Sequence, residues 1–430
     1  MEYHFIGIKG SGMSALAQIL SDLGNNVQGS DVEDFIFTQL GLTKRNIPIL
    51  KFNSSNIKLG QIIILGNAFN EEHQEVKKAN ELGLPIYRYN EYLGGFLTDF
   101  YSIAITGTHG KTSTTGLLAH VFNSVMTTNY LIGDGTGKVN DTSKHFIFEA
   151  CEYKRHFLSY KPSMAIINNI DFDHPDYFSD IKDVEAAFTE FSKGVKERII
   201  ANGDDPHLKG KNFTVPTVYF GFDERNNVIA KNIRPTKNGT TFDVYINGHF
   251  YYDFFIKQHG KHNILNTLAV ITVCYYNEIE ISDIQSAFLS YEGVQRRFNE
   301  KTYKNQIIID DYAHHPTEIT ATIMTAKEKY PNRPIIAVFQ PHTYSRTYKF
   351  IDDFAQSLSN AHCVYLFEIF GSARENKSNE SVLDLSSRVP NSKILEEENI
   401  NELANHKNGV LLFMGAGDIQ KYHSKYLVEQ

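Results

Sequence analysis

Residues 106–115 read T-G-T-H-G-K-T-S-T-T, and residue types in that order suit one chemistry, the binding of a phosphate. Gly107 and Gly110 permit backbone geometry that side chains forbid. Thr108 and His109 lie between them, Lys111 follows at once, and Thr112, Ser113, Thr114 and Thr115 add hydroxyls. Successive N–H groups in such a turn face inward on an anion, and the N-terminus of the following helix adds its dipole. Lys111 is expected to meet β- and γ-phosphates, and the Thr112 hydroxyl to ligate Mg²⁺. The P-loop pattern G-x-x-x-x-G-K-[ST] is not fully met, because Ile105 stands where its first glycine belongs.

Other reactive types stand at the ends of apolar runs. His145–Phe148 runs into Glu149, which reads as a Mg²⁺ ligand beside a phosphate loop or as an exposed acid at a turn. After S-M-A-I-I-N-N-I come Asp171, Asp173, His174 and Asp176, either metal ligands or a solvated proline turn. Asn263 and Asn266 open a helix, where asparagine caps or, three residues apart, faces one ligand. Further on, Asp310, Asp311, His314 and His315 end one strand, and His342 and Arg346 follow another. Neighbours on a strand face opposite sides, so His314 and His315 do not read as a metal pair. At the N-terminus, Gly7, Gly10 and Gly12 with Asp31 about 20 residues on give the β-turn-α-β logic of a nucleotide fold. Lys9 occupies the place of a second glycine and suits an anionic ligand better than a plain dinucleotide.

The elements that must position these groups follow from periodicity. Apolar runs at residues 3–8, 61–65 and 85–89 and a short strand at 25–31 predict a first parallel sheet, and Met13, Leu16, Ala17 and Leu20 a helix packed on it. Residues 213–256 read as antiparallel strands, with Asn247–Gly248 as a hairpin turn. Four later strands rebuild an α/β pattern after the glycine-and-arginine stretch Y-E-G-V-Q-R-R-F at 291–298. We therefore expect three α/β domains. Residues 1–98 form a Rossmann-like domain, 99–293 a central P-loop ATPase-type domain with added antiparallel strands, and 294–430 a second Rossmann-like domain. The chain has 430 residues, 41% of them hydrophobic, and a net charge of −8, which argues against a general nucleic-acid binder. Three scattered cysteines and no apolar run of membrane length fit a cytoplasmic protein without membrane insertion.

Taken in order, G-I-K-G-S-G-M-S, T-G-T-H-G-K-T-S-T, E-A-C-E-Y, D-H, H-N-I-L-N, G-V-Q-R-R-F, D-D-Y-A-H-H-P, Q-P-H-T-Y-S-R-T and G-A-G-D-I span the chain. The ordered set closely resembles the Mur ligases, the ATP-dependent amide-forming enzymes of peptidoglycan precursor synthesis, and within them the alanine-adding branch. The resemblance implies that Gly10, Ser11, Gly12, Met13 and Asp31 hold a uridine diphosphate sugar. It implies MgATP on Gly107, Thr108, His109, Gly110, Lys111, Thr112 and Ser113, with Asn263, Asn266, Arg297 and Asp311 on the nucleotide. Thr112 and Glu149 would serve one Mg²⁺ and His174 a second. Tyr312, His342 and Arg346 would position the amino acid, with Lys111, His174 and Arg346 as the catalytic group. The substrates implied are UDP-N-acetylmuramate and L-alanine, joined through an acyl phosphate in a monomer or weak homodimer. The outer domains would approach each other over ATP. Two departures stand out: Thr343 where many members carry arginine, and Thr189 where several carry a carbamylated lysine, which the alanine-adding branch is expected to lack. The competing readings are a ligase of the superfamily adding a preformed peptide or glutamate, a nicotinamide-dependent dehydrogenase, and a non-catalytic nucleotide-binding protein.

Overall fold

The computed structural model describes residues 1–371 and 381–428. Its strands form three sheets. The first is five-stranded and wholly parallel: β1 (Glu2–Ile6), β2 (Asn26–Ser30), β3 (Ile49–Leu50), β4 (Gln61–Leu65) and β5 (Ile86–Arg88), in the order β3-β2-β1-β4-β5. The order reverses beside β1, so the glycine turn after β1 opens on the crevice where such sheets bind ligands. The helix Ser11–Asp22 leaves that turn and buries Met13, Leu16, Ala17 and Leu20 as its periodicity requires.

The second sheet comprises β6 (Tyr101–Thr106), β7 (Asn129–Leu131), β8 (Gly137–Lys138), β9 (His145–Glu149), β10 (Met164–Ile167), β11 (Arg198–Asn202), β12 (Thr217–Gly221), β13 (Val228–Thr236), β14 (Gly239–Ile246) and β15 (His249–Ile256). Their order is β15-β14-β13-β12-β11-β10-β6-β9-β7-β8. β6 is central, and every residue from Ser102 to Thr106 is buried, as a parallel strand covered on both faces demands. β13, β14 and β15 pair antiparallel, and Asn247 and Gly248 both take positive φ in the expected tight turn.

The third sheet comprises β16 (Asn299–Tyr303), β17 (Gln306–Asp311), β18 (Ile335–Phe339), β19 (Cys363–Leu366), β20 (Ser392–Ile394) and β21 (Val410–Met414). Its order is β16-β17-β21-β18-β19-β20, with β16 antiparallel to β17. Three α/β domains are thus present, as expected. The third sheet has two edge strands, β16 and β20, beyond the four read from the sequence, and the first sheet gains the short β3. Residues 291–298 carry no helix or strand, and Arg296 and Phe298 both take positive φ there. Among the described residues, no helix is long and apolar enough to cross a membrane.

Candidate active site

Parallel pairing assembles the phosphate loop. β6 lies between β9 and β10, with Ile105 opposite Glu149 and Thr106 opposite Ile167. The loop after β6 is therefore flanked by the carboxyl ends of two strands far away in sequence. Gly107 has φ 132°, and Gly110, at the start of the helix Lys111–Val125, has φ 80°. The positive φ of Gly110 favours glycine there, and a Cβ would stand 2.7 Å from Asn266 Oδ1 and displace that side chain.

Asparagines after β10 hold the loop. Asn169 Oδ1 accepts from the His109 N–H at 2.8 Å, and Asn168 Nδ2 donates to Thr114 Oγ1 at 3.1 Å. The Lys111 ammonium donates to the carbonyls of Gly107 (2.6 Å) and Thr108 (2.9 Å) and pairs with Glu152 at 3.0 Å. Burial by itself would lower the lysine pKa; Glu152 reverses this and raises it, so the charge is fixed. Thr112 Oγ1 donates to Glu149 Oε2 at 2.8 Å. Burial raises the Glu149 pKa despite Lys111 nearby, which marks a carboxylate short of positive charge. A hydroxyl and an under-compensated carboxylate side by side at a phosphate loop are hard oxygen donors that fit Mg²⁺. His174 has φ 55° and its Nε2 lies 3.9 Å from Glu152 and 3.8 Å from Asp173. Burial lowers its pKa, keeping the imidazole neutral and able to ligate.

The crowded turn after β10 does not converge on one ion. Asp171 goes to His109 (3.0 Å), Asp173 to Arg346 (2.8 Å) and Asp176 to the Tyr153 hydroxyl (2.6 Å). Of its ionisable groups, His174 is the one that joins Glu152 beside the lysine.

A cavity of about 680 Å³ opens between this loop and the third domain, within the usual range for small-molecule sites. His109, Gly110, Ser113, Asn263, Asn266, Arg297 and Asp311 of the expected nucleotide residues line it, whereas Gly107, Thr108 and Thr112 do not. Lys111, Glu149 and His174 are not among its walls. Asn263 is not the helix cap: Gly260 holds that place, and Asn263 Nδ2 donates to the His259 carbonyl at 2.8 Å. Burial pushes the Asp311 carboxyl up to about 6, while Arg297 opposes this. Ionising it in the folded state is costly, so its contribution to stability falls as pH rises from 3.8 through about 6. Asp311→Asn is expected to remove that slope. By chemical denaturation the variant should gain about 3 kcal/mol over wild type at neutral pH, a difference that vanishes near pH 4. A pH-independent difference would refute the assignment.

The expected sugar residues gather at the turn after β1. Asp31 Oδ2 accepts from the Lys9 N–H at 2.7 Å and Oδ1 from Val32 N–H at 2.8 Å, so the carboxylate ties the turn to the end of β2. A Cβ on Gly12 would collide with the Tyr89 ring, and Gly10 caps the helix whose first turn holds Ser11 and Met13. Lys9 corrects the sequence reading: its ammonium donates to the carbonyls of Val32 (2.7 Å) and Asp34 (2.8 Å), and is not presented to an anion. The turn between β7 and β8 links this domain to the phosphate loop. Gln18 Nε2 donates to the Gly135 carbonyl at 2.6 Å, and a Cβ on Gly133 would strike the Glu149 carboxylate.

The expected amino-acid residues lie where the third domain meets the second. The guanidinium groups of Arg296 (5.0 Å) and Arg297 (5.2 Å) both approach the Tyr312 ring. His342 Nδ1 lies 3.4 Å from Arg346, whose guanidinium is buried in a two-pronged pair with Asp173 (2.8 and 3.2 Å). Thr343 takes φ 68°, a strained conformation for a β-branched residue, and leads into the helix Tyr344–Lys349. Thr189 is exposed on the helix Ile181–Ser192.

Asn168, Asn169, Glu152 and Glu318 were not singled out in the sequence. Glu318, in the first turn of the helix Pro316–Lys329, reaches His109 Nδ1 at 3.2 Å from the other domain.

Three family models match in order: "Mur ligase family, catalytic domain" over residues 2–101, "Mur ligase middle domain" over 105–274 and "Mur ligase, glutamate ligase domain" over 296–417. The chain is similar to the UDP-N-acetylmuramate-alanine ligase MurC of Thermotoga maritima, with 27% identity and TM-score 0.84, covering 100% of this chain and 99% of that one. The murein peptide ligase Mpl of Psychrobacter arcticus shares the fold at 23% identity and TM-score 0.74, over 99% and 98% of the two chains. The MurF ligase of Thermotoga maritima, solved in complex with ADP, shares it at 17% identity and TM-score 0.66, over 88% and 96%. With each of its three domains matched and a likeness running the length of the chain, the protein belongs to the Mur ligase family, the ATP-dependent ligases of peptidoglycan precursor synthesis.

Proposed function

We propose that the chain joins L-alanine to the lactyl carboxylate of UDP-N-acetylmuramate, with ATP giving ADP and phosphate. The observation that carries this is the full-length likeness to a UDP-N-acetylmuramate-alanine ligase, together with a phosphate loop that faces a cavity closed by the third domain. Threonine rather than lysine at position 189 supports the alanine-adding branch, which the resemblance implies lacks that lysine.

A carboxylate does not acylate an amine at neutral pH without activation. The sugar's carboxylate oxygen attacks the γ-phosphorus, an O–P bond forms as the bond to ADP breaks, and an acyl phosphate results. The alanine amine then attacks the acyl carbon and expels phosphate. Lys111 holds a fixed positive charge at the loop, and the loop N–H groups orient the phosphates. Asn263 and Asn266 line the nucleoside end, with Arg297 and Asp311 across from them. One Mg²⁺, held by Thr112 and Glu149, and a second, served by His174, would neutralise phosphate charge. Tyr312, His342 and Arg346 are assigned to the amino acid, and Gly10, Ser11, Gly12, Met13 and Asp31 to the diphosphate sugar.

The test is ADP release with UDP-N-acetylmuramate against a panel of amino acids and one preformed tripeptide. Release that depends on both the sugar and L-alanine is expected. Release driven by the tripeptide and not by alanine would replace this reading with the peptide-adding one. No sugar-dependent release would refute both.

A further inference from the structure

We propose that His109, Asp171 and His315 form a binding site for a divalent transition ion of the Zn²⁺ class, bridging the central and C-terminal domains. The site is separate from the oxygen-donor pair of Thr112 and Glu149. His109 and Asp171 belong to the phosphate loop and the turn after β10, whereas His315 stands before the helix Pro316–Lys329 of the third domain.

The geometry points to this in three ways. First, one donor atom from each residue lies within 4.8 Å of the other two. His109 Nε2 is 3.0 Å and His315 Nδ1 3.8 Å from the same Asp171 Oδ2. Zinc bonds near 2.0–2.2 Å in a tetrahedron place ligand atoms about 3.3 Å apart, between those two values. Second, each imidazole already has the outer partner that metal-binding histidines use to fix their tautomer. His109 Nδ1 faces Glu318 Oε1 at 3.2 Å, leaving Nε2 for the ion. His315 Nε2 faces the Phe172 carbonyl at 3.2 Å, leaving Nδ1. Third, a fourth donor is at hand, an oxygen: the Thr317 hydroxyl lies 2.8 Å from Asp171 Oδ2. Two imidazoles and one carboxylate favour zinc-like ions over Mg²⁺, which prefers oxygen.

Two features oppose binding and shape its signature. His315 Nδ1 accepts a long 3.3 Å bond from the Thr317 N–H, which the ion would displace; Thr317 is exposed, so water can take its place. His109 is held protonated: burial alone would lower its pKa, but Asp171 and Glu318 raise it to about 9. The ion would therefore take the position of the proton on Nε2 and release about one proton at neutral pH. Around the cluster, His314 lies 3.1 Å and Arg297 3.9 Å from Glu318, so that carboxylate stays ionised through the exchange. Because its ligands come from two domains, the bound ion would staple them and immobilise the phosphate loop.

Co²⁺ reports the site directly, since tetrahedral cobalt absorbs visible light. The full chain, without nucleotide or substrates, is titrated with Co²⁺ and then Zn²⁺. Saturation of a visible band at about one equivalent, its displacement by Zn²⁺ and release of about one proton are expected. His315→Gln and Asp171→Asn should each abolish the band. Its absence in wild type, or its survival in either variant, would overturn the proposal. This measurement involves no turnover, so its failure leaves the ligase assignment intact, and failure of the ADP-release assay leaves the metal site intact.

Discussion

Lys111→Ala is expected to lower ADP release by roughly 10³-fold or more, the scale on which one preorganised charge acts in a low-dielectric phosphoryl-transfer site. The variant raises a second issue, because Lys111 is also the partner of Glu152, whose side chain is 2% exposed. Stripping one member from a buried pair costs about 3–5 kcal/mol. Loss of activity alone would then not separate catalysis from folding. Glu152→Gln supplies the separation, since it removes the orphaned charge while keeping a polar side chain in place. Lys111→Ala with Glu152→Gln should recover most of the stability in chemical denaturation and none of the turnover. Near-normal turnover in Lys111→Ala, or turnover restored in the double variant, would remove Lys111 from the mechanism.

The strand–turn–helix geometry around Gly107 and Gly110 is legible in the sequence because it is local: a buried strand, two glycines and a helix start are adjacent in the chain. Glu149 was legible for a related reason. It ends an apolar run, and in a parallel sheet the end of one strand must lie beside the loop of its neighbour. Glu152 is three residues further on, and there the local rule fails. The segment leaves the strand and turns through positive φ at Lys154 and Arg155, which no periodicity announces, and Glu152 meets the lysine just before that turn. Glu318 reads as an ordinary acid in a first helical turn. Its role depends on which domain faces that turn. The run from Asp171 to Asp176 reads two ways in the sequence, because density along the chain does not say where side chains go; its three carboxylates answer to three different elements. The edge strands β3, β16 and β20 were missed because they are short or polar, with N-E-K-T-Y of β16 mostly exposed. Charge alone does not place Lys9, whereas carbonyls in the loop just after β2 claim its ammonium.

Arg346→Ala is expected to cost roughly 10²- to 10³-fold in kcat/KM, and the cause is as informative as the size. In the structure Arg346 pairs with Asp173 across 173 residues of sequence, both side chains under 8% exposed. The contact joins the central and C-terminal domains, and Thr317–Asp171 and His109–Glu318 lie on the same seam. Breaking a buried pair by removing one partner costs about 3–5 kcal/mol, here charged mainly to docking because each domain retains its own core. The ligand-free variant should therefore be more expanded in solution scattering than wild type. Asp173→Ala tests whether latching is the whole role. If Arg346 only latches, the two variants lose equal activity and leave KM for L-alanine alike. If it also reads the amino-acid carboxylate, Arg346→Ala raises that KM and Asp173→Ala does not. The pH dependence has a definite sign: burial alone would raise the Asp173 pKa, but Arg346 brings it well below 3.8. A depressed carboxylate stabilises docking above its unfolded value and loses that contribution as pH falls through the folded one. The latch should hold across the neutral range and open only in acid below 3.8. Opening at mildly acidic pH would assign the seam to the histidines beside it. Equal compaction of wild type and Arg346→Ala would show that the pair does not hold the domains together.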